Sequence, residues 1–147
     1  ASFTGMYYAP TSEALFVTTD TAQMFGYNGQ WSSAIGKPNE EVDTFYDAIE
    51  LGTVSGRLLL VGSDEGYFEA LIGDQPLSLS ELSSISLISP DVNKYSATLN
   101  YVNIELSKSA VRSFFINSAD STLFALTSNN GLWRNQGEGG SRSWNRE

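Results

Sequence analysis

Leu58-Leu59-Leu60-Val61-Gly62-Ser63-Asp64-Glu65-Gly66 reads as a buried strand running into a tight turn. The same pattern recurs at Ala14–Ala22 (ALFVTTDTA) and at Leu123–Gly131 (LFALTSNNG). Each copy has four apolar residues, a small residue, Ser or Thr, Asp or Asn, any residue, and a small residue. An apolar or aromatic pair then follows: Met24-Phe25, Tyr67-Phe68 and Leu132-Trp133. Physically this is one β-hairpin written three times, with Asp20, Asp64 and Asn129 at equivalent turn positions, bonding nearby backbone amides.

Working outward, further apolar runs read as strands at Gly5–Tyr8, Met24–Tyr27, Tyr67–Ile72, Ser86–Ile88, Ala97–Leu106 and Val111–Ile116. Between the runs lie Asn28-Gly29, Asp64-Glu65-Gly66, Gly73-Asp74-Gln75-Pro76, Ser89-Pro90-Asp91 and Asn129-Asn130-Gly131, all of turn-forming type. Asn39–Leu51 is the best helix candidate, because Val42, Phe45, Tyr46 and Ile49 fall at i, i+3, i+4 and i+7 and Asn39 can cap it. The same segment also reads as a loop and edge strand. Ser80–Ser84 is at most one helical turn. Residues 1–147 are expected to form a single all-β domain of short antiparallel hairpins with at most one or two short helices, propeller-like or a sandwich or jelly roll.

The Asp/Asn positions are spaced by 44 and then 65 residues, against roughly 40–50 residues for a four-stranded propeller blade. Thr122–Trp144 (TLFALTSNNGLWRNQGEGGSRSW) resembles the blade repeat of sortilin-like and sialidase-like propellers. Glu138-Gly139-Gly140-Ser141-Arg142-Ser143-Trp144 occupies the Asp-box place, with Glu for Asp and one extra residue before Trp. Tyr27-Asn28-Gly29-Gln30-Trp31 reads as a shortened version, and the second copy has no Trp. The resemblance implies propeller-like blades. Propellers have typically 4–8 blades, so about three blades imply a ring closed between chains, a piece of something longer, or another β architecture.

Composition narrows the chemistry. The 147 residues carry 17 acidic and 8 basic side chains, for a net charge of −9. Such a chain repels phosphate backbones, so no nucleic-acid partner is expected. The charge is uneven: residues 1–93 hold 13 acidic and 2 basic groups, and residues 94–147 hold 4 and 6. There is no Cys and no His, which removes disulfides, thiolate metal sites and the commonest general base. No apolar stretch is long enough to be a membrane helix. Compartment is left open, with an extracellular or particle-surface setting favoured.

Two acidic clusters survive as candidates for carboxylate catalysis, Glu40-Glu41-Asp43-Asp47-Glu50 and Asp64-Glu65-Glu69. Both read better as solvated acidic faces, and no catalytic residue is assigned. Asp20-x-Ala22 and Asp64-x-Gly66 hold too few alternating acids for an EF-hand calcium loop, so neither a metal nor a cofactor is expected. The surplus is aromatic: 12% of residues are Phe, Trp or Tyr. Tyr27, Asn28 and Trp31, and again Asn129, Asn130 and Trp133, set rings beside amide side chains. Rings of this kind make platforms for sugars and anchors for protein interfaces. The expectation is a non-enzymatic recognition module, lectin-like towards glycans. The alternative is a structural or attachment component of a viral, phage or cell-surface assembly. The expected partner is a glycan or a protein, with the chain a homo-oligomer or part of a larger assembly.

Overall fold

The computed structural model describes residues 1–53, 56–89, 109–136 and 143–147. A first sheet contains β1 (Phe3–Ala9), β2 (Ala14–Thr19), β3 (Gln23–Tyr27) and β4 (Ile35–Gly36). A middle sheet contains β5 (Phe45–Thr53), β6 (Gly56–Ser63) and β7 (Gly66–Leu71). A last sheet contains β8 (Val111–Asn117), β9 (Thr122–Thr127), β10 (Leu132–Gln136) and β11 (Ser143–Arg146). Every pairing between these strands is antiparallel and joins strands consecutive in sequence. The chain is therefore all-β, in three meanders, none closed into a barrel. A single short helix among the described residues, α1 (Leu79–Ser83), starts at a capping box: Ser78 Oγ accepts from the Glu81 amide and the Glu81 carboxylate accepts from the Ser78 amide.

The written repeat is a structural repeat. In each sheet the strand-2 to strand-3 hairpin is one copy: β2–β3, β6–β7 and β9–β10. The first strand carries a bulge at the same place each time, after the pairs Phe3–Thr19, Phe45–Ser63 and Val111–Thr127. In each turn the hydroxyl of that paired Thr or Ser accepts a turn amide: Thr21 to Thr19, Glu65 to Ser63 and Asn130 to Thr127. The next residue donates its amide to the carbonyl just before the first strand: Asp20 to Ser2, Asp64 to Thr44 and Ser128 to Ala110. The residue matching Asp20 and Asp64 is thus Ser128. Asn129 lies one position further on, because β9–β10 closes through a longer turn than β6–β7.

Period-two geometry then decides what covers each sheet. Leu59 and Val61 of β6, with Phe68 and Ala70 of β7, face the first sheet and pack on Phe16, Met24 and Ile35. Leu58 and Leu60, with Tyr67, face the last sheet and pack on Leu123, Ala125, Trp133 and Trp144. The middle sheet is buried on both sides. Two glycines permit this closeness. A Cβ on Gly5 would lie 2.7 Å from the Tyr46 carbonyl oxygen, and one on Gly62 would lie 2.4 Å from the Val111 carbonyl oxygen. Leu82 of α1 is buried in the core between the first and middle sheets.

Of the two readings of Asn39–Leu51, the helix is not formed and the loop with an edge strand is. Asn39 accepts the Glu41 amide in a turn at 3.0 Å, and Phe45–Thr53 is strand β5. Ala48 packs toward one neighbouring sheet and Ile49 and Leu51 toward the other. A strand with apolar groups on both faces loses its alternation, and the remaining spacing imitates a helix. Ser86–Ile88 contributes only an isolated bridge from Ile88 to Glu69. Ala97–Leu106 and the start of the Asp-box stretch lie outside the described residues. Trp144 of that stretch is buried in β11, its indole N–H donating to the Tyr67 hydroxyl at 3.3 Å.

Candidate functional site

Tyr27, Asn28 and Trp31 do come together. The turn after β3 folds back so that Trp31 forms a bridge with Tyr27, and their ring centroids stand 4.8 Å apart at 48°. Trp31 is 54% exposed and Tyr27 38%. Asn28 is partly committed: its Oδ1 accepts the Gln30 amide, and its Nδ2 donates to the Leu77 carbonyl at 3.0 Å.

Asn129, Asn130 and Trp133 behave differently. Trp133 is 1% exposed, and its indole N–H donates to the Asn130 carbonyl at 3.0 Å. Its ring packs between sheets, so the expectation that it is an open platform is corrected. Asn130 Nδ2 donates to Ser109 Oγ at 3.1 Å, tying the turn to the approach to β8. Asn129 is exposed.

The larger feature is one the sequence reading missed. The outer face of the first sheet carries Phe3, Met6 and Tyr8 from β1, and Phe3 joins Phe25, Trp31 and Ser32 around a groove of about 370 Å³. Phe3 is 72% and Met6 68% exposed. At the opposite end, the outer face of the last sheet carries Phe115, Phe124, Leu126 and Leu132 around a groove of about 350 Å³. Phe115 is 63% exposed there. Phe115 and Phe124 pair across strands, with centroids 6.3 Å apart. The signal was present: Leu123-Phe124-Ala125-Leu126 is apolar on both faces of one strand, which suits a sheet covered on both sides.

The buried charges form a separate group. Glu50 is buried and paired with the Arg57 guanidinium, and this hydrogen bond raises the Arg57 pKa further. Tyr7 lies nearby, and burial together with the Glu50 charge pushes its hydroxyl above the usual phenol range. Asp47 accepts the Phe114 amide at 3.1 Å and the Ala48 amide at 2.9 Å, yet burial still raises its carboxyl. Glu50 pairs with Leu59 and Glu69 with Leu60, so the two buried glutamates point to opposite faces of the middle sheet. They cannot flank one glycosidic bond as a carboxylate pair must. Glu40, Glu41 and Asp43 are exposed. Among the described residues no three Asp or Glu side chains are grouped to hold a metal ion. No helix among the described residues is long and apolar enough to cross a membrane.

Comparison with family models, with curated proteins and with solved structures found no match to this chain.

Proposed function

We propose that this chain is a non-catalytic assembly module of propeller-like blades that works by docking its two end faces against protein. The observation that carries this reading is the open apolar face at each end of the stack, on sheets whose other face is buried. Contiguous exposed apolar patches on a folded protein mark interaction surfaces. The propeller-like arrangement is supported by three meanders with the same bulge and the same hydroxyl-closed turn, stacked in one sense. Hydroxyl-radical footprinting of the natively expressed protein tests it. Met6 and Phe115 should be modified far more slowly than in the unfolded chain, and full labelling of both would overturn the docking reading.

A second reading, glycan binding, rests on the exposed Tyr27–Trp31 pair beside Asn28. Sugar C–H faces stack on such rings while hydroxyls bond amides. Binding on a glycan array that is lost in Trp31→Ala, with an unchanged melting curve, would favour it over docking.

A further inference from the structure

We infer that the partner of each end face is the opposite end face of a second copy of this chain, two copies closing head to tail into one ring of six sheets. The inference rests on the docking reading and names its partner. Its main support is the repeat itself. Thr18, Gly62 and Leu126 each directly precede the strand-2 residue paired at the first-strand bulge. Thr18 and Gly62 face the sheet that follows, and Leu126 faces outward from the last sheet. On the other side of strand 2, Leu15 and Val17 of the first sheet match Leu59 and Val61 of the middle sheet and Leu123 and Ala125 of the last. In the middle and last sheets those positions are covered by the sheet before. In the first sheet they belong to its outer face.

The uncovered side of the last sheet is therefore the kind of surface that covers these positions elsewhere. The junction is used twice within the chain, with Gly5 and Gly62 allowing close approach. At the first junction Thr4 Oγ1, on the bulge, donates to the Phe45 carbonyl at 2.6 Å. At the second the Arg112 guanidinium, also on a bulge, lies 4.3 Å above the Tyr46 ring.

Area agrees. The eight large exposed apolar side chains, at 150–250 Å² each when whole, would remove roughly 800 Å² from water at one contact. Two contacts in a closed pair reach roughly 1,600 Å², the standard size of a stable interface. Six sheets also fall within the usual range for propellers. A head-to-tail contact that failed to close would grow into a filament.

Sedimentation equilibrium on the purified chain, with Met6→Glu and Phe115→Glu as separate variants, tests the inference. The parent should weigh twice the 16.0 kDa of one chain, and each variant should be monomeric with an intact β spectrum. A monomeric parent overturns the inference. So does a dimer broken by only one of the two variants, which would mean that like faces pair. If Met6 and Phe115 are protected in the native protein while the purified parent is monomeric, docking survives with a different partner. If they are unprotected, both readings fall.

Discussion

Asp64→Ala is the sharpest test of how the repeat holds each sheet together. Asp64 Oδ1 accepts the Asp43 and Thr44 amides, each at 3.0 Å, just before β5 begins. A hydrogen bond to a charged group is worth about 1.5–3 kcal/mol. The Asp43 amide is exposed, so water replaces the lost acceptor and its share falls to about 1 kcal/mol. The Thr44 amide is partly buried and keeps about 1.5 kcal/mol. Asp64→Ala should therefore lower unfolding stability by about 2–3 kcal/mol, whereas a single local turn bond would cost about 1 kcal/mol. Asp64→Asn, which keeps one acceptor oxygen without the charge, should recover about half. Denaturant unfolding measures both, with an unchanged slope excluding a change of the unfolded state. A loss below about 0.5 kcal/mol for Asp64→Ala, or no recovery in Asp64→Asn, would refute the idea that this carboxylate staples the turn to the head of β5.

Two further perturbations probe the junctions between sheets. Gly62→Ala would drive a methyl into the Val111 carbonyl at 2.4 Å, and overpacking of this kind costs about 1–3 kcal/mol; a melting temperature within error of the parent would show that the sheets can part freely. Asp47 is held above its ordinary 3.8 by burial, so the folded chain keeps that proton to higher pH than the unfolded chain. Its contribution is then fully present below about pH 4 and is lost as pH rises through the folded value. Asp47→Asn does not titrate, so its melting temperature relative to the parent should improve as pH climbs from about 4; a flat or opposite trend would contradict the assignment.

The strands that could be read from sequence were those with strong turn chemistry at their ends. β2, β6 and β9 stand in uninterrupted apolar runs, each followed by Ser, Thr, Asp or Asn. β5 read both as a helix and as a loop with an edge strand, because Ala48 on one face and Ile49 and Leu51 on the other are all buried, which erases the period-two signal. The alignment of the third copy slipped by one residue because its turn is longer, and the Val111–Thr127 pair, the Thr127 hydroxyl and the Ser128–Ala110 bond reveal the true match. The pairing of Tyr27 with Trp31 followed from a short Asn-Gly turn. Trp133 was misassigned because a ring beside a turn looks alike whether it points to solvent or between sheets. The open faces were legible only in part: Leu123-Phe124-Ala125-Leu126 is apolar on both faces of β9, but whether Phe115 and Leu126 meet a sheet or solvent depends on sheets far away in sequence.

The meander connectivity has a consequence for how the molecule comes into being. Every hairpin joins neighbours in the chain, so each sheet can form from local contacts soon after its strands leave the ribosome. The first sheet must wait with Phe16 and Met24 uncovered until β5–β7 arrive, and the middle sheet waits in turn for β8–β11. Amide protons of β6, enclosed by both neighbours, should then be the last to exchange with solvent, while those of β1 and β11 open first. Synthesis order and protection order therefore differ: the first sheet made is among the first to loosen, and the core of the molecule is sealed only when its last strand is in place.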